Sequence, residues 1–359
     1  AFVFIIAVGF ALHLLMPDKA LSISERRKLA QAPSMSLTSM LSGKFSTAFD
    51  DYVLDQFPGR DSFRTLKAIV QYYVLRQKDN NGIFLAEGNI GKLEYPLSES
   101  SVLRAAQKIC SLREQYFPDA NVYLSLVPDK SYFLAAQNGY PALDYEKMLD
   151  LLQENTEGVT YIDIFDTLSA DKYYTTDAHW RQECLHDTAL RLAEGLGVED
   201  AFAWEYEAHT LPDFYGVYYG QAALPFPPDT LTYLTSATTD GAQVYNIETQ
   251  GTTSVYDLGK LTDGKSMDMY DVFLSGAAAV LTVTNPNASE AAKGRELILF
   301  RDSFGSSIAP LLLDCYETIT LVDIRYIASE FLSQYVDFHG QDVLFLYSTT
   351  IINNSAMLK

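Results

Sequence analysis

One serine in this chain stands where an α/β fold exposes a nucleophile. The stretch R-E-L-I-L-F-R-D-S-F-G-S-S-I-A-P-L-L (295–312) predicts a buried strand over 296–300 and a helix over 306–313. Ser303 falls between them, at the carboxyl end of the strand, where open α/β sheets carry their sites. A hydroxyl on such a turn is held open at the sheet edge. The N-terminus of the following helix offers N–H groups to a developing oxyanion. A serine becomes a nucleophile when an imidazole takes its proton and a carboxylate fixes the imidazole's tautomer. Y-Y-T-T-D-A-H-W (173–180) supplies both types two residues apart, Asp177 and His179, in a loop before a helix. Of the other four histidines, His13 lies in an apolar run, His186 is downstream of the motif, and His209 and His339 lack comparable context. Each half also has a plainer reading: Ser303 or Asp302 caps one helix, and Asp177 caps another on which His179 and Trp180 pack. Asp-x-His supplies only two metal ligands, and no HExxH or clustered third ligand appears. Neither a metal nor a cofactor is therefore expected.

The elements that must position these residues follow from hydrophobic periodicity. Helical spacing over 102–116 precedes an apolar run at 122–127, and helical spacing over 145–155 precedes another run at 159–164. A third helix covers roughly 180–196. Near the C-terminus, 296–300, 319–322 and 343–347 read as short buried strands, with helical segments at 306–313 and 328–336 between them. Strands alternating with helices predict βαβ units and a mostly parallel sheet. Residues 200–290, rich in Thr, Tyr, Gly and Pro, read as an insertion of loops and short antiparallel strands. The aromatic residues Tyr215, Tyr218 and Tyr219 in that stretch, together with Trp180, offer flat faces to a sugar ring or simply pack. Lys130 and Arg325, each near a strand end, and Arg301 beside the serine are candidates for oxyanion or substrate binding, or are structural ion-pair partners.

The 359 residues carry 26 basic and 46 acidic side chains, a formal charge of −20, with 48% hydrophobic residues. That balance is globular and argues against a chain that binds nucleic acid or an anionic membrane through its whole surface, since both reward basic patches. Three separated cysteines, Cys110, Cys184 and Cys315, show no metal spacing. Residues 1–16 hold no charged side chain, and the run ends at Met16-Pro17-Asp18-Lys19. It is shorter than a bilayer span, but the chain starts without Met, so 1–19 is read as a truncated signal anchor in preference to a cleaved secretory signal or a buried core helix. Residues 20–100 are then a stalk and N-terminal helical region, and 101–359 the main domain. Within 20–100, Phe45, Phe49, Tyr52 and Val53 share one helical face. Phe63, Leu66, Ile69, Val70, Tyr73 and Val74 share another.

The ordered pairing of Y-Y-T-T-D-A-H-W with a later strand–R-D-S-F–helix resembles the bacterial DHHW proteins and the related alginate O-acetyltransferase family. D-Q-F-P-G-R-D (55–61), V-P-D-K (127–130), D-F-Y-G-V-Y-Y (213–219), M-Y-D-V-F-L-S-G (269–276) and V-D-I-R-Y (322–326) extend the likeness over nearly the whole chain. The sequence departs from the pattern at Ala178, where the signature has a second His, and at Arg301, where it has Gly or Lys. The resemblance implies an SGNH-hydrolase-like three-layer sandwich with permuted motif order. In it Ser303 is nucleophile, His179 general base and acid, and Asp177 its orienter. It further implies an extracytoplasmic O-acetyltransferase or acetylesterase acting on a cell-surface polysaccharide through an acyl-serine. A membrane-bound O-acyltransferase would be the acetyl donor. The rival expectation, kept open by Ala178 and Arg301, is a non-catalytic carbohydrate-binding or scaffold protein.

Overall fold

The computed structural model describes residues 2–262 and 266–359. At its centre is an eight-stranded sheet whose strands are numbered here in chain order. They are β1 (Val122–Val127), β2 (Thr160–Tyr161), β3 (Gln243–Asn246), β4 (Gly251–Thr253), β5 (Val280–Thr284), β6 (Glu296–Arg301), β7 (Thr318–Val322) and β8 (Asp342–Ser348). Their order is β4-β3-β5-β7-β6-β8-β1-β2. The five strands from β7 to β2 run parallel. The other edge, from β7 through β5 and β3 to β4, is antiparallel. This is the α/β sandwich expected of an SGNH-like protein.

Alternation along the strands builds the three layers. In β8, Leu344 and Leu346 enter one apolar cluster while Val343, Phe345 and Tyr347 enter the other. In β6, Leu297 and Leu299 oppose Ile298 and Phe300 in the same way. Helices His186–Leu196 and Gly305–Leu312 cover the first face through Ala189, Leu192, Ile308 and Leu311. Helices Glu99–Tyr116 and Tyr145–Glu154 cover the second through Val102, Ile109, Met148 and Leu152. Both faces are buried, which is why the parallel strands read as unbroken apolar runs.

Several boundaries differ from the sequence reading. The strand expected over 159–164 is only the two residues of β2. The helix expected from 180 begins at His186, after a 3₁₀ turn at Gln182–Cys184, because Trp180 and Gln182 are tied by side-chain hydrogen bonds to Ser307. The segment at 328–336 is a 3₁₀ turn, Ser329–Gln334. Within 200–290 the expected short antiparallel strands are present: β3, β4 and β5 extend the central sheet, and Glu207–Phe214 and Asp229–Thr235 form a pair of their own. The stretch at 20–48 is not a free stalk. Leu21–Ser22 and Arg27–Lys28 form a hairpin held to the helices beyond it by Arg27–Asp55 and by Glu25 with Arg60 and Arg64.

Because β1, β6, β7 and β8 are parallel, their carboxyl ends share one edge. The loops after them bring Lys130, Ser303, Arg325 and Thr349 to that edge. Lys130 is 2% exposed and donates to the carbonyls of Tyr174 (2.7 Å), Thr175 (3.0 Å) and Asp177 (3.0 Å). It pins the loop carrying Asp177 and His179 to the end of β1. Burial pulls its pKa down to about 7, against the nearby charges of Asp177 and Asp229. Lys130→Met leaves three carbonyls without their donor and is expected to cost roughly 3 kcal/mol or more of stability. The exposed Lys147→Met, which breaks only a surface pair with Glu99, should stay within about 0.5 kcal/mol. The two urea midpoints decide the point; equal shifts would refute a pinning role for Lys130.

Candidate active site

Ser303 lies on the turn between β6 and the helix Gly305–Leu312, half-buried and accessible from one side. Asp302 fixes this turn. One of its carboxylate oxygens accepts the Phe304 N–H at 3.0 Å and the other accepts the Ser348 N–H of β8 at 2.7 Å. Gly305 is demanded here, since a Cβ at that position would collide with the Arg301 side chain. The Ser303 Oγ donates to His179 Nε2 at 2.7 Å, and His179 Nδ1–H donates to Asp177 Oδ1 at 2.6 Å. The three residues named from the sequence thus form one hydrogen-bonded chain, with His179 and Ser303 separated by 124 positions in sequence.

The imidazole is held on both faces. The Tyr270 ring stacks on it with centroids 3.9 Å apart and planes 12° apart, and Phe304 packs on it at 4.9 Å. Tyr270 Oη and Ser307 Oγ are 2.7 Å apart, and Ser307 Oγ also accepts from Trp180 Nε1 at 2.8 Å. Ser307 stands one helical turn beyond Ser303, so the serine helix, the histidine loop and the M-Y-D-V-F segment are cross-linked at one buried hydroxyl. Neither Tyr270 nor Ser307 was singled out for this role by spacing. The M-Y-D-V-F-L-S-G likeness was the only signal that pointed near Tyr270.

Asp177 is fully buried. Burial pushes its carboxyl upward, but the charge and hydrogen bond of His179, the Arg26 guanidinium and the Val217 N–H together hold it well below the usual carboxylate range. The Val217 N–H donates to Oδ2 at 2.7 Å, and the Tyr218 and Tyr219 N–H groups donate to the Thr176 carbonyl. This backbone approach requires Gly216, whose Cβ would overlap the Thr176 carbonyl and Asp177. Arg26 comes from the tip of the N-terminal hairpin, in the left-handed region at φ 51°. It bonds Asp268 at 2.6 Å and reaches Asp177 Oδ2 at 3.6 Å. A residue from the supposed stalk therefore completes the surroundings of the buried carboxylate. Sequence reasoning had no means to find it.

The remaining candidates are distributed differently. Lys130 has all three Nζ donors on loop carbonyls, so it positions Asp177 and His179 and has no hydrogen left for an oxyanion. Arg325 is a forked partner of Asp323, at 2.8 and 2.6 Å. Arg301 is buried, and burial lowers its pKa; its guanidinium donates to Ser306 Oγ at 3.0 Å. Trp180 is wholly buried, and Tyr218 packs inward near the Lys130 ammonium, so neither presents a face to a glycan. Tyr215 and Tyr219, with ring centroids 4.7 Å apart, instead line a cavity of about 650 Å³ shared with the N-terminal hairpin and Arg60. Ala178, the departure from the signature, packs against the cluster of Ile83, Ile90 and Tyr218. Among the described residues, no group of three or more His, Cys, Asp or Glu is placed to hold a metal ion.

Residues 147–322 match the family model described as DHHW protein. No curated protein sequence matches the chain. A DHHW family protein from Eubacterium siraeum superposes with a TM-score of 0.60 at 22% identity, covering 78% of this chain and 95% of its own. Bacillus cereus PatB1, solved with a sulfonyl adduct, gives 0.57 at 16% identity, covering 75% and 95% respectively. At these identities the likeness is one of fold. The family resemblance read from the ordered motifs is borne out: residues 147–322 match the DHHW family model, and a DHHW family protein shares the fold.

Proposed function

We propose that the chain is an O-acyltransferase or esterase of SGNH type, acting through an acyl-serine intermediate on a cell-surface polysaccharide. The observation that carries this reading is the hydrogen-bonded run from Ser303 Oγ through the His179 ring to the buried Asp177 carboxylate. A scaffold protein that had lost turnover would have no need to keep a half-exposed serine in line with an oriented imidazole. The departures do not break the run. Ala178 lies in an apolar cluster, and Arg301 is buried under the serine turn.

In the first half-reaction, His179 Nε2 takes the Ser303 proton as Oγ attacks the acyl carbonyl carbon of an ester donor. The tetrahedral intermediate collapses by breaking the bond to the donor alkoxide, which leaves with the proton from Nε2. In the second, a sugar hydroxyl or water gives its proton to Nε2 and attacks the acyl-serine, whose Oγ leaves and is reprotonated. Asp177 holds the tautomer that presents the Nε2 lone pair and stabilises the imidazolium formed in each half. The Ser303 N–H, at the start of a helix, is the proposed oxyanion donor. Tyr215 and Tyr219 are the proposed glycan contacts, and the acetyl donor is proposed to be a membrane-bound O-acyltransferase. The apolar N-terminal segment would place the protein outside the cytoplasm, anchored or secreted. Among the described residues no helix is long and apolar enough to cross a membrane.

Incubation with an activated acetyl ester should leave an acetyl adduct on the wild type, or hydrolyse the ester, with Ser303→Ala doing neither by intact-mass analysis. A sulfonyl fluoride, an electrophile that activated serine hydroxyls attack, should label Ser303 and leave Ser303→Ala untouched. Identical behaviour of the two proteins in both assays would favour the binding protein. Adding glycan acceptors then separates transfer from hydrolysis, because an esterase needs only water.

Asp177→Asn should lower turnover by about 10⁴ with the substrate KM little changed, since it leaves the ring in place with the wrong tautomer. Its effect on stability has a definite sign. The Asp177 carboxyl is held low in the folded chain, so its contribution is present above the ordinary carboxylate range and is lost as pH falls below about 4. Between pH 5 and pH 3 the wild type should therefore lose more unfolding free energy than Asp177→Asn. Parallel acid profiles would show that Asp177 is not ionised in the folded state.

A further inference from the structure

The helix Arg60–Ile69 and the π turn Val70–Val74 that continues it are amphipathic in the inverted sense. The six apolar positions that share one face, Phe63, Leu66, Ile69, Val70, Tyr73 and Val74, are all exposed, Tyr73 by 65% and Val74 by 67%. The face turned inward is the small and polar one. Ala68 is buried, Tyr72 Oη donates to the Ile83 carbonyl at 2.7 Å, and Arg64 donates to the Gly220 carbonyl at 2.5 Å. A helix of a water-soluble domain turns its apolar stripe to the core, so a stripe held outward by polar anchors has an apolar partner outside the chain.

Two further observations say what that partner is. Residues 60–78 hold Arg60, Arg64, Lys67, Arg76 and Lys78 against the single acid Asp61, in a chain whose formal charge is −20. Lys67 and Arg76 are exposed along the same helical stretch, while Lys78 donates to the Gly139 carbonyl at 2.7 Å. The stripe adjoins other apolar surface of the N-terminal unit, since Phe63 packs edge-on against the exposed Phe57 with ring centroids 5.5 Å apart. The helix Phe2–Leu15, whose Phe4, Phe10 and Leu15 are exposed, meets the next helices through His13, which lies against Tyr52 and the Gln56 carbonyl. An exposed apolar face flanked by basic side chains suits the headgroup boundary of an anionic bilayer, where rings and aliphatic chains bury and the cations meet phosphate.

We infer that the face formed by Phe63, Leu66, Ile69, Val70, Tyr73 and Val74 lies on an anionic lipid surface. This is a second lipid contact, independent of the tether proposed for residues 1–19 and of the reaction assigned to Ser303. The hairpin that carries Arg26 is ion-paired to the same helix through Glu25 with Arg60 and Arg64, so the site edge is held at a fixed distance from the membrane.

The test uses the full chain with one tryptophan introduced at Leu66→Trp or Val74→Trp, and at the exposed Gln153→Trp as control. Each is mixed with phosphatidylcholine–phosphatidylglycerol vesicles. The wild-type emission of Trp180 and Trp204 is subtracted. The added emission at 66 and 74 should shift to the blue. It should fall by more than half when the acyl chains carry bromine, while the control is unaffected. Protein that sediments with the vesicles but shows no quenching at 66 or 74 would overturn the inference and leave residues 1–19 as the sole contact. A blue shift that grows with protein concentration in the absence of vesicles would overturn it in favour of a second copy of the chain. Neither result bears on acylation of Ser303.

Discussion

The organising constraint of this molecule is a carboxylate taken fully out of water. An ionised Asp177 is tolerated inside the protein only because donors and cations close on it from several directions. His179 supplies a ring N–H, Val217 a backbone N–H, and Arg26 a guanidinium. The backbone N–H can approach only because residue 216 has no side chain, and the guanidinium arrives only because the N-terminal hairpin folds back over the domain. Lys130 then holds the loop from beneath by its carbonyls. Removing water from around the carboxylate strengthens its grip on the imidazole, and that grip sets the tautomer presented to Ser303. Segments as distant in sequence as residues 26, 130 and 217 are thus committed to orienting one side chain.

Much of this was legible in the sequence, and the reason is locality. A strand, a tight turn and a helix are encoded within a dozen residues, so the position of Ser303 at a sheet edge follows from the pattern around it. Asp-x-His in a loop is equally compact. What escaped was whatever depends on tertiary approach. Arg26 sits in a stretch without periodicity, Tyr270 and Ser307 are ordinary residues in apolar surroundings, and the close passage at Gly216 exists only in the folded chain. The short antiparallel strands were expected, but their place at the edge of the central sheet was not, for a related reason. Strands β3 and β4 are three or four residues long and polar on one side, so they read as insertion until hydrogen bonded to β5.

Helix 60–74 shows the same limit from the other side. Its 3.6-residue period states which side chains share a face, and the structure agrees. Period carries no information about whether that face meets protein or something else; only the anchors on the opposite face, Ala68, Tyr72 and Arg64, decide it. The departure at Ala178 is resolved by the same kind of observation. A changed signature residue looked like damage to the site, yet its neighbours Ile83 and Ile90 show that the position belongs to a packing contact behind it.

The hydrogen bond from Ser348 N–H to Asp302 has a consequence for the order in which the protein comes into being. The turn bearing Ser303 is fixed by β8, the last strand of this sheet in sequence order, which lies between β6 and β1, the first to be made. A nascent chain that has not yet placed β8 holds Ser303 on a turn with half its restraints missing and a gap in the middle of its sheet. Pairing β8 with β1 closes a loop of more than two hundred residues, a late and slow event in a fold of this topology. The geometry that joins Ser303 to His179 is thereby tied to the docking of β8, a step that follows synthesis of every other strand of the sheet.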